Sequence, residues 1–308
     1  MTTGRAPLRC PVPFVVTVHD LTVIDRPDLY PARERWLTAI WLRRSIRAAA
    51  GIACVSEATA RDLARAFPGL TAPVEVIHEA VAEAFQRPPT AAGVARLVAD
   101  RALGPRIWLH VGEMSWRKNL PRLIDAFAIA RQAVGGPPPV LVLAGRPGPA
   151  SGAVARGIAE SGLQDAVRRL DWVPEDDLPA LYAAAELVVC ASEHEGFGLP
   201  ALEAMSCGVP LVSSRRGGLA EVVGDAALPA DPGNVAALAG AMIALGSDLM
   251  LRQRLAAAGR QRAERFDGER MIRRTEDLCA RLALPRRTPR ATMGGRSPWT
   301  AARPGSHR

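Results

Sequence analysis

An α/β protein made of two parallel-sheet units facing a cleft is predicted by three observations. Short apolar runs recur along the chain with helical segments between them, an alternation that places helices on both faces of a parallel sheet. With 308 residues, 48% of them hydrophobic, the chain can fill two cores of ordinary size. Pro88-Pro89 and the small residues around them interrupt the pattern and mark a linker.

The first unit, residues 1–90, opens with an apolar strand over 12–18 that ends at His19-Asp20. A helix is expected around 32–50, a strand from Ile52 to Val55, a helix from Glu57 to Phe67 and a short strand over Val74-Glu75-Val76-Ile77. Ser56 is placed as the cap of the helix that follows it. About three strands are few for such a unit. An upstream extension of roughly 70–100 residues is therefore expected to complete it. Without that extension the Val15 strand is expected to present an unpaired edge.

The second unit, residues 105–268, is fuller. Ile107 to Val111 reads as a strand, followed by a helix with Leu120, Leu123, Ile124, Phe127 and Val134 on one face. Further strands are expected over Val140 to Ala144, Val167 to Val173, Leu187 to Cys190 and Val209 to Val212. Helices follow from about 233, the last of them a C-terminal helix over 269–284. Residues 285–308 are rich in Pro and Gly without apolar periodicity and read as a disordered basic tail.

The net charge of +8 does not point to nucleic acid, because that tail carries six arginines and no acid, leaving +2 for the rest. A polybasic tail is compatible with peripheral contact with anionic lipid. No run approaches the roughly 20 apolar residues of a membrane span. Cys10, Cys54, Cys190, Cys207 and Cys279 lack metal-ligand spacing and fit reduced thiols in a cytoplasmic protein. With no strong Asp-x-Asp candidate and no His/Cys cluster, neither a metal nor a cofactor is expected. A G-x-S-x-G elbow and a Walker loop are also missing, and the spacing of Gly145, Gly148 and Gly152 is wrong for a dinucleotide fingerprint.

The most informative segment is Glu195-Gly196-Phe197-Gly198-Leu199-Pro200-Ala201-Leu202-Glu203, which links an apolar strand to a helix. Glycines sit where the backbone must turn or approach a ligand, Pro200 suits the first helical position, and Glu203 is expected in the first turn. Such a helix start binds anions. Two carboxylates flanking a phosphate loop suit a sugar nucleotide. The bland alternative is a turn, a helix start and a dipole partner with no ligand.

A second strand-to-helix loop, Gly112 to Asn119, carries Arg117 and Lys118. Lys118 is the only lysine in the chain against 38 arginines, which hints at a site that wants a compact ammonium. Cations at a helix start oppose its dipole, so plain solvation is disfavoured there.

These segments resemble retaining glycosyltransferases of family 4, whose fold is GT-B, two Rossmann-like domains facing a cleft. The resemblance runs from about Val12 to Arg281. It implies that Glu195 lies by the donor sugar and Glu203 holds the ribose hydroxyls. The backbone of Phe197, Gly198 and Leu199 would lie near the diphosphate, with Gly112, Arg117 and Lys118 in the diphosphate-binding loop. The same likeness puts His19 of Thr17-Val18-His19-Asp20-Leu21 near the donor sugar, and the nucleotide base near Asp171-Trp172-Val173-Pro174 through backbone. Two positions depart from the family pattern: Glu113 follows Gly112, and Glu79-Ala80 replaces an Asn-Gly pair in the hinge strand. Gly217-Gly218 with Glu221 reads as a turn and helix cap without a catalytic role.

The implied function is metal-independent, retaining transfer of a sugar, GDP-mannose being the donor chosen, to a hydroxyl of a glycan or lipid-linked acceptor. The alternative is a truncated, non-catalytic nucleotide-sugar-binding remnant.

Overall fold

The computed structural model describes Thr2, Thr3, Ala6 and residues 10–283, so the expected basic tail lies outside the described residues. The first sheet is parallel, in the order β1 (Thr2–Thr3), β2 (Val15–Val18), β3 (Gly51–Cys54), β4 (Val74–Val76). Its connections carry α1 (Thr22–Asp25), α2 (Ala32–Ala48) and α3 (Glu57–Ala66). Every residue of β2 and β3 is buried, as their near-continuous apolar runs, with Thr17 the one polar side chain, require of a sheet covered on both sides.

One face of this sheet, with Val16, Val18, Ile52 and Cys54, packs under Leu42, Ile46 and Leu63 of the neighbouring helices. The other face, with Val15, Ala53 and Ile77, is closed by the last helix of the chain. A Cβ at Gly51 would run into Leu282 of that helix, so glycine there permits the close approach.

Helix α4 (Ala91–Asp100) occupies the stretch read as linker and sends Leu97 into the second unit's core. The second sheet comprises β5 (Ile107–Val111), β6 (Val140–Ala144), β7 (Val167–Leu170), β8 (Ala185–Cys190), β9 (Leu211–Ser213) and β10 (Leu228–Pro229). All its pairings are parallel, in the order β10-β9-β8-β5-β6-β7. Helices α5 (Leu120–Ala133), α6 (Ser151–Glu160), α7 (Leu178–Ala184), α8 (Leu199–Ser206), α9 (Leu219–Val223), α10 (Val235–Ser247) and α11 (Leu249–Ala263) surround it. Alternate residues serve opposite cores: Ile107 and Leu109 face one, Trp108 the other, and the same alternation runs through β6 and β8. The closing helix is α12 (Gly268–Ala283), which leaves the second unit and lies on the first sheet.

Two expectations about the first unit are corrected. Its sheet has four strands, and the Val15 strand has a neighbour on each side, because Thr2 and Thr3 pair with Val16 and Thr17. A two-residue strand has no apolar pattern to announce it. The other face is covered as well, since α12, about 200 residues further on, salt-bridges Glu75 through Arg274 and Arg281.

Candidate functional site

The order of the second sheet selects the site. Strand order reverses between β5 and β8, and ligands of open α/β sheets bind in the crevice beyond the carboxyl ends of strands at such a reversal. The loops leaving those two strands are 112–119 and 191–198, the two segments the sequence singles out.

The first loop is shaped by backbone conformations. Gly112 has φ +150°, and a Cβ there would lie 2.9 Å from Cε of Lys118, so only glycine lets the lysine stem lie across it. A short 3-10 turn over Trp116–Lys118 follows, and Asn119 takes the left-handed conformation at φ 58°. Its amide donates to the carbonyls of Ala191 (3.2 Å) and Pro232 (2.8 Å), tying this loop to the loops beyond β8 and β10. The chain therefore enters α5 with Arg117 and Lys118 directed into the crevice rather than outward. Glu113 is exposed and lies against Gly148 of the next loop.

Both cations meet Glu195. Lys118 Nζ donates to Glu195 Oε1 at 2.7 Å, Ser192 Oγ donates to the same oxygen at 2.7 Å, and Arg117 pairs with Oε2. Arg117 also donates to the carbonyl of His194 at 3.2 Å and accepts from the Glu193 N–H. Lys118 and Glu195 are buried, and Arg117 nearly so. Burial pushes the Glu195 carboxyl up, but the charges of Lys118 and Arg117 and its hydrogen bonds outweigh that and hold it at about 2. Desolvation pulls the Arg117 guanidinium down and Glu195 more than restores it, so both stay charged. Two cations sharing one carboxylate leave an excess positive charge at the switch point.

Helix α8 starts at Leu199, behind Gly198 at φ +114°. The Phe197 ring turns into the core, edge-on to Phe266 and tilted against His78. Glu203 is the fifth residue of α8, not part of its first turn: the helix opens at Leu199 with Pro200 second. Its side chain accepts from the Tyr182 hydroxyl at 2.7 Å, and burial raises its carboxyl above the ordinary value despite that bond. Val173 is buried among the core residues, so only its backbone is left for a ligand. Beside it, exposed Trp172 lies under the Arg146 guanidinium at 5.0 Å, a pair the sequence reading did not notice.

The first unit meets this loop through backbone. A Cβ at Gly196 would strike the His19 carbonyl, and one at Gly218 would strike the Gly196 carbonyl. Ser56 caps α3 by accepting from the Thr59 N–H at 3.0 Å and donates its own proton to the Gly196 carbonyl at 2.6 Å. Glu221, read as a cap for its own helix, instead caps α3, accepting from the N–H groups of Glu57 (2.8 Å) and Ala58 (2.6 Å). His19 is half exposed, with Nδ1 2.9 Å from Glu79 Oε1; that hydrogen bond raises its pKa above 6.5 against the effect of burial. The unusual Glu79 thus has a partner.

His110 was also missed. Its Nδ1 donates to the Val189 carbonyl at 2.9 Å, and Nε2 has no partner among the described residues. Burial first, then Lys118, lowers its pKa to about 4, so it is neutral beneath the ion cluster. Asn119 and Tyr182 likewise gain roles only through contacts distant in sequence, and Ser192 through Glu195 three residues on. The one cue was for Asn119, since asparagine favours the left-handed region. Among the described residues no group of three or more His, Cys, Asp or Glu side chains could hold a metal ion, and no single helix is long and apolar enough to cross a membrane.

Residues 97–262 match the family described as glycosyl transferases group 1, and residues 1–85 match glycosyltransferase family 4. O-antigen chain mannosyltransferase B of Escherichia coli is 33% identical over 85% of this chain and 68% of its own length. The 2-deoxystreptamine glucosyltransferase of Streptomyces kanamyceticus is 32% identical over 74% of this chain, which spans 60% of that enzyme. Among solved structures, sucrose-phosphate synthase from Thermosynechococcus elongatus aligns with a TM-score of 0.73 at 25% identity, covering 87% of this chain and 67% of that one. Anabaena HepE in complex with UDP and glucose aligns at 0.74 and 23% identity, over 87% of this chain and 72% of that one.

Proposed function

The chain belongs to the glycosyl transferases of group 1, with the GT-B fold, and we propose that it moves a hexose from a nucleoside-diphosphate sugar to an acceptor hydroxyl with retention and without a metal. The observation that carries this reading is the Lys118–Glu195–Arg117 cluster at the switch point, beside the start of α8. Its excess positive charge and the helix N–H groups suit a diphosphate. As the bond from the anomeric carbon to the diphosphate oxygen breaks, negative charge grows on that oxygen. Preorganised cations in a buried site stabilise such charge without reorganising. Glu195 divides its oxygens between the two cations and so keeps both in place, next to the sugar. Glu203, oriented by Tyr182, suits the ribose hydroxyls, and the backbone at Val173 suits the base.

The acceptor, a glycan or a lipid-linked sugar, enters on the His19 side. A mannosyltransferase among the relatives makes GDP-mannose the first donor to try, and UDP-glucose the second. The test is release of nucleoside diphosphate from each donor, with and without simple glycoside acceptors and with chelator present. NMR then reads the anomeric configuration of the product. Turnover giving the configuration of the donor is expected. An inverted product, or turnover that requires magnesium or manganese, contradicts the proposal.

A further inference from the structure

We propose that the outer face of α2 docks the protein on an anionic lipid surface. Trp36, Ile40, Arg43 and Arg47 recur at spacings of four, three and four, one stripe along a 17-residue helix about 25 Å long. The opposite stripe, with Leu42, Ser45 and Ile46, is the buried one. Trp36 is 66% exposed, Leu37 beside it 50% and Ile40 44%. Single exposed apolar residues are ordinary, but three large ones on adjacent positions of one helix, followed by arginines with no acid in the stripe, are not. The exposed pair opening α11, Leu249 and Met250, is smaller, and Arg252 on its stripe is already paired with Glu186 at 3.2 Å.

This composition is that of a helix lying in a bilayer interface, with Trp and Ile among the headgroups and acyl chains and arginines on lipid phosphates. Arg43 already stands over the Phe67 ring with its guanidinium 5.9 Å from the centroid, a position that leaves it exposed. The placement also has a use. The chain runs from His19 through α1 into α2, which must travel back antiparallel to β2 to reach the parallel β3. The Trp36 end of the helix is therefore at the carboxyl edge of the first sheet, the edge that carries His19. A membrane held there would lie beside the cleft and present a lipid-linked acceptor to it. That last step alone rests on the glycosyltransferase reading; docking does not.

The test is co-sedimentation of the full chain with vesicles of phosphatidylcholine alone or mixed with phosphatidylglycerol. The wild type is expected to bind the mixed vesicles, more weakly at high salt, and to bind pure phosphatidylcholine poorly. Trp36→Ser/Ile40→Ser is expected to lose about tenfold in apparent partitioning with an unchanged melting midpoint, and Trp36→Phe to retain most of it. Equal binding by the wild type and the double variant overturns the proposal and assigns the contact to the basic tail. Failure of the wild type to bind overturns it outright. A wild-type dimer in light scattering that the double variant abolishes also overturns it, because the face then joins two copies.

Discussion

The carboxyl ends of the two sheets are built differently. Beyond the second sheet the charged groups are buried and paired with one another: Lys118 and Arg117 with Glu195, and Glu203 with Tyr182. Beyond the first sheet His19 is half exposed, and the contacts to the second unit's loop have backbone on at least one side. The His19 carbonyl abuts Gly196, and the start of α3 is held by Ser56 from below and Glu221 from across the seam. One side is an electrostatic centre and the other a steric frame pressed against it. Substitutions on the two sides should therefore fail in different ways.

The largest effect is expected at the shared carboxylate. Glu195→Gln leaves two buried cations facing a neutral amide, and losing one partner of such a cluster costs about 3–5 kcal/mol. Chemical denaturation reads this directly. Because the folded pKa of Glu195, about 2, lies below the ordinary 4.5, its contribution is complete above about pH 4.5 and is lost as the pH falls towards 2. The wild-type melting midpoint should therefore fall more steeply through that window than the midpoint of Glu195→Gln. Parallel slopes would mean that Glu195 is not held ionised by its neighbours.

Lys118→Ala should slow turnover by roughly a hundred- to a thousand-fold, as loss of other electrostatic stabilisers does, and Lys118→Arg should restore only part of it. Arg254→Ala, an exposed change on α11, serves as the control and should be neutral. Equal small effects at both positions would return Lys118 to the status of a surface cation.

The steric side is broken by Gly196→Ala, which forces the His19 segment and the loop after β8 apart. Misplacement of about 1 Å costs on the order of a hundredfold in rate. Nucleoside diphosphate affinity, which belongs to the second unit, should change little. Equal losses of affinity and rate would show that the two sides do not divide the work in this way.

The contrast also decides what the sequence could show. Ile107–Val111 and Val140–Ala144 were legible to the residue, because strands buried on both faces carry near-continuous apolar runs, broken here only by His110. Thr2–Thr3 and Leu228–Pro229 were not, since two residues have no period. Helix α12 was visible as a helix, but nothing in an amphipathic pattern names the surface it covers. In the site, loop chemistry and the lone lysine pointed to Lys118 and Glu195. Their mutual pairing, across 77 residues, was not foreseen. Glu221 shows the limit most clearly: the residue type suited a cap, but the helix it caps lies more than 160 residues away.

Two smaller tests refine the frame. Glu221→Ala removes an acceptor for two N–H groups of α3 and should cost about 1 kcal/mol, the usual value of a lost cap. A loss below the error of a denaturation curve would mean that the seam opens freely in solution. At His19, Glu79→Gln should lower the ring pKa towards 6.5, followed by NMR titration. Any stability from the His19–Glu79 pair should be complete below pH 6.5 and fade as the pH rises through the raised pKa. An unmoved titration would separate the two side chains.

The central claim is that the switch point of the second sheet binds the diphosphate of a sugar nucleotide through its own cations. Calorimetric titration with GDP, UDP and ADP in the presence of EDTA tests it most directly. Saturable binding of at least one of them with chelator present, weakened at least about tenfold in Lys118→Ala, is the result predicted here. Binding that appears only when magnesium or manganese is added, or that Lys118→Ala leaves unchanged, would contradict it.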